Sequence, residues 1–190
     1  TLEYYSENVN PLCFSPDGKF LALASTDFTV NIYYISDSNF KLIKSFEYYN
    51  NYRDVNSFCF SPDGQFFASV SEDNNINIYL ISRRNFKIIK IIADHSSNII
   101  SLSFSPDGKF FTSASDDTVK IYSIFENDFN LIKTLENHNT YNSVFFSPDK
   151  KFLALIYYDE LKIDSISGFE LIETLNQYGH YVKSVSFSPD

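Results

Sequence analysis

The sequence predicts an all-β fold built from repeated four-stranded antiparallel units, and three observations predict it. The string Phe-Ser-Pro-Asp occurs five times, starting at Phe14, Phe60, Phe104, Phe146 and Phe187, at spacings of 46, 44, 42 and 41 residues. A second series, Ile32-Tyr33, Ile78-Tyr79, Ile121-Tyr122 and Ile163-Asp164, follows each of the first four copies. A third closes each unit: NFKLIKSF from Asn39, NFKIIKII from Asn85, DFNLIKTL from Asp128 and GFELIETL from Gly168. Series that keep phase at one period of roughly 43 residues are the mark of a repeat architecture.

Each unit reads as four short strands. The first ends at the Phe of the turn motif. Ser15-Pro16-Asp17-Gly18 then fits a tight turn, with Pro presetting φ and Gly taking the left-handed conformation. Gly64 and Gly108 repeat it, whereas Lys150 replaces Gly in the fourth copy. A left-handed Lys costs on the order of 1 kcal/mol, so that turn is expected to be weaker or altered. The apolar stretches GKFLALAS, GQFFASVS, GKFFTSAS and KKFLALIY form the second strands. Segments such as 29–35 and 75–81 alternate with β-branched or aromatic residues and form the third. The LIK-type segments form the fourth. Four strands in such a period match the size of a propeller blade.

Composition narrows function. With 15 Lys+Arg against 24 Asp+Glu, the net charge is −9, which argues against nucleic-acid and anionic-membrane surfaces. The 44% hydrophobic share can supply a core. Two Cys exclude a disulfide framework, there is no Asn-X-Ser/Thr sequon, and no apolar run approaches a membrane-spanning length. Phe 20 and Tyr 14 stand beside Trp 0 and Met 0.

No candidate for catalysis or metal binding emerges. His95, His138 and His180 share one repeat position, so successive units carry them apart and they cannot converge on an ion. Cys13 and Cys59 also share a position and are expected as small core residues, not as a bridge. There is no Gly-X-Ser-X-Gly elbow, no phosphate-binding Gly cluster and no Cys-X-X-Cys pair. Asp17, Asp63, Asp107 and Asp149 are turn formers. Lys41, Lys44, Lys87, Lys90 and Lys133 lie on fourth strands, where Lys discourages edge-to-edge pairing; the fourth unit carries Glu170 and Glu173 instead.

The chain resembles the Trp-Asp (WD) repeat family of β-propellers over essentially all 190 residues. The carriers are the SPDG turns, the Asp before each third strand (Asp27, Asp73, Asp117), the LIKTL-type outer strand and Gly179-His180, with Asp94-His95 and Asn137-His138 as weaker forms. The name-giving Trp-Asp is replaced by Tyr33-Tyr34, Tyr79-Leu80, Tyr122-Ser123 and Asp164-Ser165. The resemblance implies a blade network of His, second-strand hydroxyl, turn Asp and Trp, which only the third unit approximates, with His95, Ser113, Asp117 (or Asp116) and Tyr122. The fourth unit has Leu155 and Asp164 at the hydroxyl and aromatic positions and is expected to be the least stable.

The expected organisation is a single partial propeller over 1–190, with blades at 9–46, 55–92, 99–135 and 142–175. Residues 1–8 would end a preceding blade and 182–190 would begin the next. A seven-bladed ring of this period needs roughly 300 residues, so the missing blades are expected from the rest of a longer chain. The resemblance implies a non-catalytic scaffold or adaptor that binds proteins or peptides, without cofactor, metal, nucleic acid or membrane, in the cytoplasm or nucleus. The expected binding face carries Phe28, Tyr52, Arg53, Asp73, Asn74, Tyr141, Tyr158 and Tyr181, since Tyr and Arg anchor interfaces. The alternative is the propeller portion of a larger protein whose enzyme domain, such as a kinase, a protease or a ubiquitin-ligase substrate receptor, lies outside this segment.

Overall fold

The computed structural model describes residues 12–25, 29–37, 39–47, 57–71, 73–136, 141–157, 160–176 and 187–188. Among these residues every regular element is a strand, and sixteen strands make four separate antiparallel sheets with the strands in chain order. The first sheet is β1 (Leu12–Phe14), β2 (Phe20–Ala24), β3 (Thr29–Ser36) and β4 (Asn39–Glu47). The second is β5 (Phe58–Phe60), β6 (Phe66–Val70), β7 (Ile76–Ser82) and β8 (Asn85–Ile92). The third is β9 (Ile99–Phe104), β10 (Phe110–Ser115), β11 (Thr118–Phe125) and β12 (Asp128–Glu136). The fourth is β13 (Tyr141–Phe146), β14 (Phe152–Tyr157), β15 (Glu160–Ser165) and β16 (Glu170–Asn176). These are four propeller-type blades, two in the unit Thr1–Ile92 and two in the unit Ala93–Asp190. The end pieces expected at 1–8 and 182–190 lie outside the described residues, apart from Phe187 and Ser188.

One hydrogen-bond relay builds every first hairpin. The Ser15 hydroxyl accepts the Phe20 N–H at 2.9 Å and donates to Asp17 Oδ1 at 2.7 Å. The same Oδ1 accepts the Lys19 N–H at 3.1 Å. Gly18, at φ 69°, donates its N–H to the Ser15 carbonyl at 2.9 Å. Ser61–Asp63–Phe66, Ser105–Asp107–Phe110 and Ser147–Asp149–Phe152 repeat the relay. The fourth turn, expected to be altered, is not: Lys150 takes φ 65° and donates to Ser147 O at 3.0 Å. The surrounding relay holds the Lys backbone in a region that costs about 1 kcal/mol for a residue with a Cβ. The strain is stored and the shape is kept.

A second shared device lies between the third and fourth strands. The register shifts between Ile32 and Tyr33, Ile78 and Tyr79, Ile121 and Tyr122, and Ile163 and Asp164. Opposite these pairs the outer strand carries one extra residue, Ile43, Ile89, Ile132 or Ile172, which is the two-against-one count of a β-bulge. The outer strand therefore bends at the same repeat position in all four sheets.

Within the first unit an aromatic layer joins the two sheets. Phe20 of β2 meets Phe86 of β8 edge to face at 5.5 Å and 86°, and Phe46 of β4 lies over Tyr79 of β7 at 4.5 Å. Phe67, fully buried, touches Phe46, Tyr79 and Phe86. In the second unit the equivalent pair, Phe110 and Phe169, repeats the edge-to-face contact at 5.5 Å and 87°. A cluster of Ala114, Val119, Ile121, Val144, Leu153, Leu155 and Tyr157 fills the rest. Apolar burial of this kind contributes about 25 cal/mol per Å², so each buried ring adds several kcal/mol of gross stabilisation.

Candidate functional site

The polar chemistry of the third sheet gathers around His95. Its Nε2 lies 2.6 Å from Ser113 Oγ and its Nδ1 lies 3.2 Å from Thr118 Oγ1. A neutral imidazole has one donor and one acceptor, so one of these hydroxyls donates to the ring and the other accepts from it. Burial, then the Lys120 charge, push the His95 pKa down to about 4. Tyr122 is buried among Phe111 and neighbouring residues; burial raises its pKa, and its hydroxyl reaches Asp94 Oδ2 at 3.5 Å.

Asp117 does not face His95 directly. Its Oδ1 accepts from Ser97 at 2.6 Å and from Ser115 at 2.8 Å, and its Oδ2 accepts from Ser96 at 3.2 Å. The Ser97 hydrogen bond is the foremost cause that lowers its pKa. Thr118 stands between the imidazole and this carboxylate, with its hydroxyl 3.4 Å from Asp117 Oδ1. Ser115 and Thr118 are thus members of the network that the sequence did not single out. The signal was present in the SASDDT run, where hydroxyl and carboxylate alternate around a turn.

The other sheets hold less of this chemistry. In the second, burial raises the pKa of Tyr79, and Ser69 and Asn77 hydrogen-bond to it. In the fourth, Asp164 occupies the place of Tyr79 and Tyr122. It is 4% exposed, its carboxylate has no hydrogen-bond partner among the described residues, and burial raises its pKa while Lys162 and Lys133 oppose the shift. A cleft of about 290 Å³ lies beside it, bounded by Leu135, Tyr157 and Phe169. Leu135 and Asp164 stand where the first unit has Phe46 and Tyr79, so two smaller side chains leave the space that two rings fill there.

Of the expected binding face, Asp73 is exposed. Asn74 sits in the turn after β6 at φ 58° and donates its N–H to Ser71 O at 3.1 Å. Tyr141 begins β13 by its backbone; its side chain, and all of Phe28, Tyr52, Arg53, Tyr158 and Tyr181, lie outside the described residues. Cys13 and Cys59 are in no disulfide, and burial pushes the Cys13 thiol up to about 12, which makes it a poor nucleophile. Among the described residues no group of three or more His, Cys, Asp and Glu could hold a metal ion. His138 and His180 lie outside them.

The opposite end of the first unit holds a feature that sequence reasoning missed. A cleft of about 450 Å³ opens between the first hairpin turn of one sheet and the last hairpin tip of the next, with Lys19, Tyr34, Arg83 and Arg84 around it. Arg84 lies over the Tyr34 ring at 4.0 Å. The signal was in the composition: the chain has only three arginines, and two are adjacent here.

A model of the family described as WD domain, G-beta repeat matches residues 2–33, 40–79 and 86–123, more than half of the chain. The segment 40–79 runs from β4 through β7, so one sequence repeat contributes the outer strand of one sheet and the three inner strands of the next. The matched residues end at 123, ahead of the sheet in which Lys150, Leu155 and Asp164 depart from the pattern. No curated protein matches the chain.

Proposed function

The chain belongs to the WD domain, G-beta repeat family, and from that premise we propose that it is a non-catalytic scaffold or adaptor that binds a protein or peptide partner. Repeats of this family generally mediate protein–protein interaction, and their propellers are typically non-catalytic. One observation carries the reading further: the frame repeats and the loop tips do not. The Ser–Asp relay and the bulge recur in four sheets, while the tips between third and fourth strands offer Asp37, then Arg83-Arg84, then Glu126-Asn127, then Gly168-Phe169. A rigid frame with variable tips is how binding loops are displayed.

The partner-binding face assigned in this proposal carries Phe28, Tyr52, Arg53, Asp73, Asn74, Tyr141, Tyr158 and Tyr181. Two cysteines that form no disulfide fit a reducing compartment, so the proposal places the protein in the cytoplasm or nucleus. The test replaces Tyr52, Tyr141 and Tyr181 together by Ser in the full-length protein and compares recovered partners by quantitative affinity purification. Loss of partners with unchanged circular dichroism is the expected result. An unchanged partner set removes this face from consideration.

A further inference from the structure

The cleft in the first unit has the chemistry of an anion site within an acidic chain. Three cations, Lys19, Arg83 and Arg84, stand around it against one carboxylate, Asp17, which Lys19 already pairs at 3.0 Å. Arg83 and Arg84 are both exposed and have no carboxylate partner among the described residues. The net charge of the chain is −9, so a cluster of cations stands out against it. Of the three equivalent tips two carry an acidic residue, Asp37 in the first sheet and Glu126 in the third, and the fourth sheet's tip carries Gly168-Phe169.

Geometry points the same way. Arg83 is held at φ 56°, a left-handed turn backbone that Asp37, Glu126 and Phe169 share at the equivalent tips, so the turn fixes the backbone from which Arg83 projects. Arg84 rests over the Tyr34 ring with its Cζ 4.0 Å from the centroid, so its guanidinium is positioned before a ligand arrives. A planar guanidinium offers paired donors that match the oxygens of a phosphate or carboxylate, which an ammonium does not. The chain uses Lys at twelve positions and Arg at three, and this tip takes two of the three. Beside the cations, Tyr34 and Ile81 supply an apolar wall, and Gly64 leaves the far side open, the nearest atom to a Cβ there being Pro16 Cδ at 4.0 Å.

We propose that this cleft binds an acidic peptide segment, seating one anionic side chain, phosphorylated or carboxylate, on Arg83 and Arg84 with an adjacent apolar side chain against Tyr34 and Ile81. The proposal rests on the platform reading but names a second set of residues, distinct from the face proposed above.

The test presents the full-length protein with three peptide libraries of randomised flanks, centred on phosphoserine, glutamate or serine. The phosphoserine or glutamate library, or both, should be retained over serine, with apolar residues enriched beside the anion. The winner of the two anionic arms identifies the source of the charge. Affinity for the best peptide should fall at least tenfold in Arg83→Gln and in Arg84→Gln, and also in Arg84→Lys, which keeps charge but loses the planar fork. Equal retention of all three libraries overturns the proposal, as does unchanged affinity in both Gln variants. Binding to phosphatidylcholine–phosphatidylserine vesicles with no library retained overturns it in favour of a lipid surface. If Arg83→Gln and Arg84→Gln keep every protein partner while anionic peptides are ignored, the cleft fails and the platform reading stands.

Discussion

Phe46, on the outer strand of the first sheet, lies over Tyr79, on the third strand of the second, with ring centroids 4.5 Å apart. Tyr79 holds the position that the family gives to Trp, so this contact shows what the substituted aromatic does: it fastens one blade to its predecessor. Tyr79→Ala should cost about 3 kcal/mol, since it removes a buried ring and leaves a cavity. A double-mutant cycle with Phe46→Leu should give a coupling of about 1 kcal/mol. Additive effects in chemical denaturation would show that the rings do not couple.

The matching place in the second unit is underfilled. Asp164 and Leu135 border a cleft of about 290 Å³, and the carboxylate is buried without a hydrogen-bond partner among the described residues. Asp164→Tyr should restore the ring and remove a desolvated charge, raising stability by about 1–2 kcal/mol. A melting midpoint at or below that of the parent chain would contradict this.

Acid should act in two windows. His95 has its pKa lowered to about 4 from 6.5, so between these values the unfolded chain binds a proton that the fold refuses. Stability therefore falls as pH drops from 6.5 towards 4, by on the order of 2 kcal/mol once solvent screening of the half-buried ring is allowed for. A second decline follows below pH 3.8, because hydrogen bonding from Ser15 holds the Asp17 carboxyl down to about 2, and that contribution is lost as pH falls through this range. Asp164 works in the opposite sense: its raised pKa makes its charged form a burden above pH 3.8. Denaturation midpoints of the parent and His95→Asn, measured from pH 7 to 4, should diverge from parallel, the variant being flatter. Parallel curves would remove His95 as the cause.

Lys150 offers a small, clean gain. Its φ of 65° suits glycine, whose greater freedom in the unfolded chain offsets part of the relief. Lys150→Gly should stabilise by up to about 1 kcal/mol. The same change at Lys151, one residue on, should not, and a gain at both sites would point to charge and not to backbone strain.

Much of the frame was legible because it is local. The Ser-Pro-Asp-Gly turn declares its own shape through residues at most five apart, and the β-branched and aromatic residues in segments such as 75–81 mark them as strands, although burial stops alternating at Ile78 and Tyr79, which are both buried. What escaped was decided by register and by neighbouring strands. The bulge at Ile43, Ile89, Ile132 and Ile172 is invisible in a run such as LIK, where every residue is a credible strand former. Thr118 entered between His95 and Asp117 because the turn after β10 rotates the carboxylate towards Ser97. Lys150 kept the turn because six surrounding hydrogen bonds outweigh one disfavoured φ. The arginine cleft joins Tyr34 to Arg84, fifty residues apart in sequence, and no local pattern announces such a meeting.

The relay from Ser15 to Phe20 and its three copies also bear on the order of assembly. Closing a segment this short costs little chain entropy, whereas bringing Phe46 onto Tyr79 must first order the whole connection between them. Each sheet therefore owns a nucleus that waits for no other sheet, and contacts of low sequence separation form early. In pulse-labelled hydrogen exchange the amides of Phe20, Phe66, Phe110 and Phe152 should gain protection before the inter-blade rings lock. Simultaneous protection would mean that docking, not the hairpin, starts the process.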